Sequence, residues 1–386
     1  PFAERTEIAE LFGLDAEMVR IHMPYIGGGF GAKELKQAHL IALWLSREIG
    51  RPVTTLPSAE ESIRTDARHQ IVYKLKTGLK NDGTLCAQEI EMLVDGGAYA
   101  RVVTQIVTRL AVGGGWGPYK IPNMRLIAHS ILTNRVLPGA MRGLSKAQVS
   151  WAYETNYDHI ARRMGLDPFE FRVKNFMRRG DVVAEGASLL DSDYDDMLRM
   201  AAEAIGWDGR TSQVSSKIKT ATSSTELLRG RGLSTTFRHG YSEGANNYVN
   251  AIMNLQGRVK LLQSATEIGM GVYSVLAQLA AETLGIPIHK IDVSHADTDN
   301  PHSDGVASSR DTICMGTATQ RACEDLKNEL ILAASMSKGG DPQEWRFEGG
   351  RVWHGEQDYA PEEIVADTSP RTGVVIGKGS WITPRR

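Results

Sequence analysis

Residues 27–34 read GGGFGAKE, with glycine at Gly27, Gly28, Gly29 and Gly31, and an apolar run of helical period follows from Leu35 to Ile49. Glycine carries no side chain to hold off a ligand, and the following helix presents unpaired N–H groups at its positive end. An anionic or oxo-bearing ligand suits such a turn, and so does a plain strand-to-helix connection. The glycine spacing does not fit the dinucleotide fingerprint, and Lys33 is followed by Glu34 rather than the Ser or Thr of a phosphate loop.

The 386 residues suggest two or three domains, and 41% hydrophobic residues are ample for real cores. The formal charge of −2 is uninformative, and no basic stripe argues for a nucleic-acid partner. No apolar run approaches the roughly 18 residues of a membrane span. Three cysteines, Cys86, Cys314 and Cys323, lack the spacing of a disulfide framework or of zinc and iron–sulfur ligands, so a reducing, cytoplasmic compartment is expected. The ten histidines are scattered without a ligand motif. The opening PFAERTEIAELFG has neither an initiator methionine nor a signal region, and reads as a processed chain or a piece of a longer one.

Along the chain, AERTEIAELFG predicts a short helix, MVRIHMPYI a strand, and 35–49 a helix. Residues 68–80 and 84–94 flank an Asp-Gly turn, the signal of a β-hairpin. A further strand leads to LPGAMRG, and a helix then opens at Ser145 with Gln148 as its capping-box partner and closes at Gly165. Asp167-Pro168 starts the next helix, which ends near Asn175, and 193–206 form another. Residues 211–226 read as a mobile surface loop, and β character returns from Arg229 through YVNAIMNLQGRVKLLQSA. TEIGMG then precedes a helix, HKIDVSHA is a strand, and the loop 297–312 precedes a long helix to Ala334. WRFEGGRVWHG reads as a hairpin, and the rest of the tail gives no clear pattern. Three glycine loops before helices suggest several segments converging on one extended ligand.

These motifs, taken in order, resemble the molybdenum-binding subunit of the xanthine oxidase, aldehyde oxidase and carbon monoxide dehydrogenase family, the molybdenum hydroxylases. GGGFGAKE resembles the family's GGGFGGKE, PGAMRG its aromatic-Arg-Gly loop, TEIGMG its EMGQG loop and SSRDT its Ser-Arg-Ser-Thr loop. DGGAYA, YKIPN and DPFEFRVKN stand in the same order. The resemblance implies an α+β fold of two mixed molybdopterin-binding domains, 1–185 and 186–386, with the cofactor cleft between them and the family's C-terminal part missing.

It also implies a molybdenum-molybdopterin cofactor, with the cytosine dinucleotide form as one alternative, and a metal held by the pterin rather than by protein side chains. Gly28, Gly29, Phe30, Gly31 and Arg142 would line the cofactor, the amides of Phe30, Gly31 and Arg142 and the Ser308 segment lying around the metal. Gly269, Met270, Gly271, Ser309, Asp311 and Thr312 would hold the pterin and its phosphate. Glu34 matches a substrate-pocket glutamate. Its alternative is a carboxylate favoured at a helix N-terminus by about 0.3–1 kcal/mol. Arg109 matches a second substrate-facing arginine, although a shift of one residue would put Leu110 there. Iron–sulfur clusters and FAD would sit on partner subunits, in an oligomer completed by the remainder of the molybdenum subunit.

The expected activity is hydroxylation of an aldehyde or N-heteroaromatic molecule with water as oxygen source. Met270 replaces the family's glutamine, Leu144 a sandwiching aromatic and Asp311 a serine, which makes xanthine itself a poorer candidate. The family's late KGxGE glutamate, its general base, has no match: Gly377-Lys378-Gly379 only echoes it. A cofactor-binding fragment without independent catalysis is therefore the second expectation.

Overall fold

The computed structural model describes residues 1–33, 37–65, 67–99, 102–182, 189–208, 230–237, 245–368 and 373–383. The fold is α+β, as expected, and its residues gather into two compact units. One comprises 1–29, 35–53 and 240–386; the other comprises 30–34 and 54–239. Glu34 and the expected loop 211–226 lie outside the described residues.

The second unit is built on a three-stranded sheet. Strands Ile71–Leu79 and Leu85–Asp95 form the expected antiparallel hairpin, and Asn123–Ile131 adds in parallel to the second strand. At the turn, Gly83 takes φ +84°, a left-handed conformation open to glycine at little cost, and Asp82 accepts from the Thr84 amide at 3.1 Å. Gln88, Ile90, Met92 and Val94 alternate onto the buried face. Helix Lys146–Met164 contributes Val149, Tyr153, Tyr157 and Ala161, a stripe spaced four residues apart, to the same core.

DPFEFRVKN does structural work in this unit. Asp167 caps helix Pro168–Asn175 by accepting from the Phe169 amide. Asn175 accepts from the Leu85 amide and donates to Gly83 O, pinning the hairpin turn. Arg172, wholly buried, donates to Glu154 at 2.8 Å and meets Asp158 at 2.8 Å, while the Tyr119 hydroxyl donates to Glu154 at 2.5 Å.

The first unit carries a sheet in which Asn246–Asn254 lies between Val374–Ile382 and Val259–Leu262, and Ile291–Val293 adds beyond the latter. Helices Val272–Leu284 and Asp311–Lys338 supply Leu276, Ala280, Leu284, Ala318, Ala322, Leu326 and Leu330 to its core. The tail strand Val374–Ile382 pairs with Asn246–Asn254 over its whole length. Its glycines have a packing reason: a Cβ on Gly377 would stand 2.2 Å from Ala322 O, and one on Gly379 2.0 Å from Ala318 O. The echo of the family's base motif is thus a strand lying tightly against a helix backbone.

Other expectations need correction. MVRIHMPYI forms only the short strand His22–Met23, paired with Ala296–Asp297, after a turn of 3-10 helix at Ala16–Met18. Residues 230–237 contain no strand. Helix Lys146–Met164 begins without its capping box, because Ser145 sits at φ +67° with no side-chain cap and Gln148 donates instead to His69 O at 2.9 Å. Helix Val102–Val112 was not apparent, its β-branched residues having weak helix propensity.

Removing one partner of a buried ion pair strands the other charge. Arg172→Ala should therefore lose about 3–5 kcal/mol in denaturant unfolding, and a loss below about 1 kcal/mol would show that Glu154 and Asp158 are satisfied without it.

Candidate functional site

Four described residues other than glycine take positive φ: Phe30, Leu144, Ser145 and Ser309. All four lie in or beside the loops singled out in the sequence. Such conformations cost of order 1–3 kcal/mol each and persist where the surroundings impose them, often at ligand sites.

In the second unit, the end of GGGFGAKE and the PGAMRG loop are locked together. Gly31 has φ +102°, and a Cβ there would stand 2.2 Å from Ala140 O, so only glycine admits this approach. The Arg142 amide donates to Phe30 O at 2.8 Å, and its guanidinium lies 5.8 Å from the centroid of the Phe30 ring. Arg68 donates to Arg142 O at 2.9 Å. The Arg142 amide, expected to lie around the metal, is thus engaged by Phe30 O within this pair of loops. Phe30 itself is 59% exposed. Arg109 is exposed in the last turn of helix Val102–Val112.

In the first unit, Gly27 and Gly28 are exposed, and Gly29 is buried with Ile268 placed 3.5 Å from where its Cβ would be. Gly269 and Gly271 both have positive φ and open space where a Cβ would lie. Their N–H groups, however, are not free donors. Glu267 accepts from Gly269 at 2.7 Å, from Gly271 at 3.1 Å and from Tyr273 at 3.4 Å. Burial alone would push the Glu267 carboxyl up, but these backbone donors hold it below the ordinary carboxylate value. The chain's own carboxylate therefore occupies the N-terminus of helix Val272–Leu284. Sequence reasoning passed over Glu267 although an acidic residue just before a helix start was a usable signal. Met270 is exposed beside it.

The remaining loop ends in the short turn Ala307–Ser309, which includes the backbone of Ser308, and continues through Arg310 into helix Asp311–Lys338. Ser309 and Thr312 are exposed, whereas Asp311 is 6% exposed. Neither Asp311 carboxyl oxygen has a hydrogen-bond partner. Arg310 donates to Gly305 O at 2.8 Å and to Asp304 O. Burial pushes the Asp311 carboxyl up to about 7, with Arg310 opposing and Glu267 reinforcing the shift.

Among the described residues no group of three or more His, Cys, Asp or Glu side chains could hold a metal ion. The residues fit an extended anionic cofactor in two respects: Asp311 is a buried polar group in want of a partner, and open space adjoins Gly269 and Gly271.

The class follows from comparison with known proteins. A model of the molybdopterin cofactor-binding domain matches residues 1–176, and a second model of a domain so described matches 200–384. The chain is 29% identical over 351 residues to the putative xanthine dehydrogenase molybdenum-binding subunit XdhA of Escherichia coli (strain K12), covering 87% of this chain and 45% of that one. It is also 29% identical to the aldehyde oxidoreductase molybdenum-binding subunit PaoC of the same organism, covering 94% of this chain and 47% of that one. Quinoline 2-oxidoreductase from Pseudomonas putida 86 shares the fold, with a TM-score of 0.77 at 22% identity over 99% of this chain and 52% of that one. The chain belongs to the molybdenum-binding subunit family of the xanthine oxidase type, and it spans about half the length of the curated relatives it matches.

The raised Asp311 value has a definite consequence for stability. Its folded-state value lies above the ordinary carboxylate value of 3.8, so the stability it lends is fully present below about pH 4 and is lost as pH rises through about 7. Relative to Asp311→Asn, the wild-type chain should lose about 2–4 kcal/mol between about pH 4 and pH 8 in urea unfolding. Parallel pH profiles for the two proteins would contradict a buried neutral acid.

Proposed function

We propose that the chain is the molybdopterin-binding portion of an oxidoreductase that hydroxylates an aldehyde or N-heteroaromatic substrate with water as oxygen source. The electrons would pass to iron–sulfur and flavin groups on partner subunits. The observation that carries this reading is the gathering of positive-φ residues into the loops that match the family, with the buried Asp311 carboxyl unpartnered beside one of them. The family matches to 1–176 and 200–384 support two successive cofactor-binding domains divided near residue 185.

When bound, the cofactor supplies the two-electron oxidation and the activation of water. This chain's residues bind and orient it. In one unit the Phe30–Gly31 turn, held by Arg142 and Ala140, gives a rigid backbone surface. Gly28 and Gly29 continue that loop. In the other unit Gly269, Met270 and Gly271 leave room for the pterin, while Ser308, Ser309, Asp311 and Thr312 would receive its phosphate. Glu34 would hydrogen-bond an N-heterocycle, and the Arg109 guanidinium would orient the substrate.

The second reading is a cofactor-binding segment that does not catalyse unaided. It is favoured by the Gly377–Gly379 segment, which is a strand packed on a helix rather than a loop presenting a base.

The test is molybdenum and pterin content of the chain purified with its neighbouring subunits, followed by assay with aldehydes and N-heterocycles. Stoichiometric molybdenum with turnover is expected. Molybdenum without turnover would favour the second reading, and its absence would reject both. Glu34→Gln should alter substrate preference, lowering kcat/KM for an N-heterocycle by about tenfold or more while sparing aldehydes, as expected for a lost hydrogen bond to substrate.

A further inference from the structure

We propose that Asp311 is a neutral carboxylic acid that donates a hydrogen bond to an anionic oxygen of the phosphate class bound at the N-terminus of helix Asp311–Lys338. The inference deepens the reading above and rests on it for the identity of the ligand, though not for the existence of the site.

Three features converge. The helix is 28 residues long and has no side-chain cap, so the N–H groups of its first turn have no partner within the helix and carry the positive end of its dipole. Asp311 is its first residue, and the Cβ of a helical residue tilts toward the N-terminus, directing the carboxyl to that end. Both carboxyl oxygens are buried without a partner, an arrangement that costs free energy unless a ligand completes it.

Burial opposes the ionised form first and the Glu267 charge adds to it, while Arg310 offsets them only in part. Glu267, in the turn before helix Val272–Leu284, already carries a negative charge fixed by three backbone donors. Arg310, the adjoining cation, is engaged by the carbonyls of Gly305 and Asp304. Cys314, one turn along the helix, is itself pushed up by burial and by Asp311, and adds no positive charge. A protonated Asp311 can donate to an anion where a carboxylate would repel it. Glu267 meanwhile excludes a competing anion from the neighbouring helix N-terminus. Binding is therefore linked to a proton, and affinity falls as the environment becomes alkaline.

The experiment titrates inorganic sulfate, whose charge is constant near neutrality, into the full chain by calorimetry. Wild-type affinity should fall about tenfold from about pH 6 to about pH 8, while Asp311→Asn, which keeps a donor but does not titrate, should hold its affinity across that range. Equal wild-type affinities at both pH values, the same decline in Asp311→Asn, or no binding by the wild type overturns the proposal. Should the variant fold poorly, infrared difference spectra of the wild type decide: a protonated carboxylic acid signal near pH 6 that disappears near pH 8 is expected, and its absence overturns the proposal. Pterin found in the purified complex alongside a failed sulfate linkage removes this inference alone. A sound linkage in a complex without pterin leaves the anion site standing and removes the molybdopterin reading.

Discussion

The site depends on a carboxylate that the chain supplies to itself. Glu267 satisfies the backbone donors of Gly269, Gly271 and Tyr273, and so fixes a glycine turn that would otherwise be loose. Burial pushes the carboxyl of Asp311, the first residue of the long helix, up to about 7, and the Glu267 charge adds to that shift. Two helix N-termini lie in this unit's candidate loops, one filled by the Glu267 carboxylate and the other beginning with the buried, unpartnered Asp311 carboxyl. On the proposal above, that asymmetry, more than the number of glycines, would direct an anionic ligand to the second of these termini.

The other unit shows a different use of glycine. Gly31 is required because the backbone of Ala140 comes too close for any Cβ, and the Arg142 amide closes the contact on Phe30 O. A glycine loop can therefore be rigid. Here it joins a second loop into one surface, with the Phe30 ring exposed beside the Arg142 guanidinium. Gly377 and Gly379 use the same principle with no ligand involved, admitting a strand to the face of a helix.

Much of the fold was legible where the signal was local. Asp82-Gly83 marked the hairpin, Asp167-Pro168 a helix start, and Gly165 a helix end. The misses depended on distant partners. The stretch MVRIHMPYI is strand only where His22 and Met23 meet Ala296 and Asp297, and the tail strand exists because Asn246–Asn254 offers it an edge. Ser145 looked like a cap, yet the tight turn from Arg142 holds it in a left-handed conformation. The loops of the candidate site were visible as motifs. Which of their donors were already spent was not, because that depends on the placement of Glu267 and Phe30 in space.

The most direct measurement is the backbone amide spectrum of the chain with and without its cofactor, read at the two helix N-termini. If Glu267 keeps its donors and the anionic group is received at Asp311, the Gly269 and Gly271 signals will stay in place while those of Asp311 and Thr312 move. Displacement of the Gly269 and Gly271 signals with Asp311 unchanged would contradict the account, because Glu267 would then have yielded its place to the ligand.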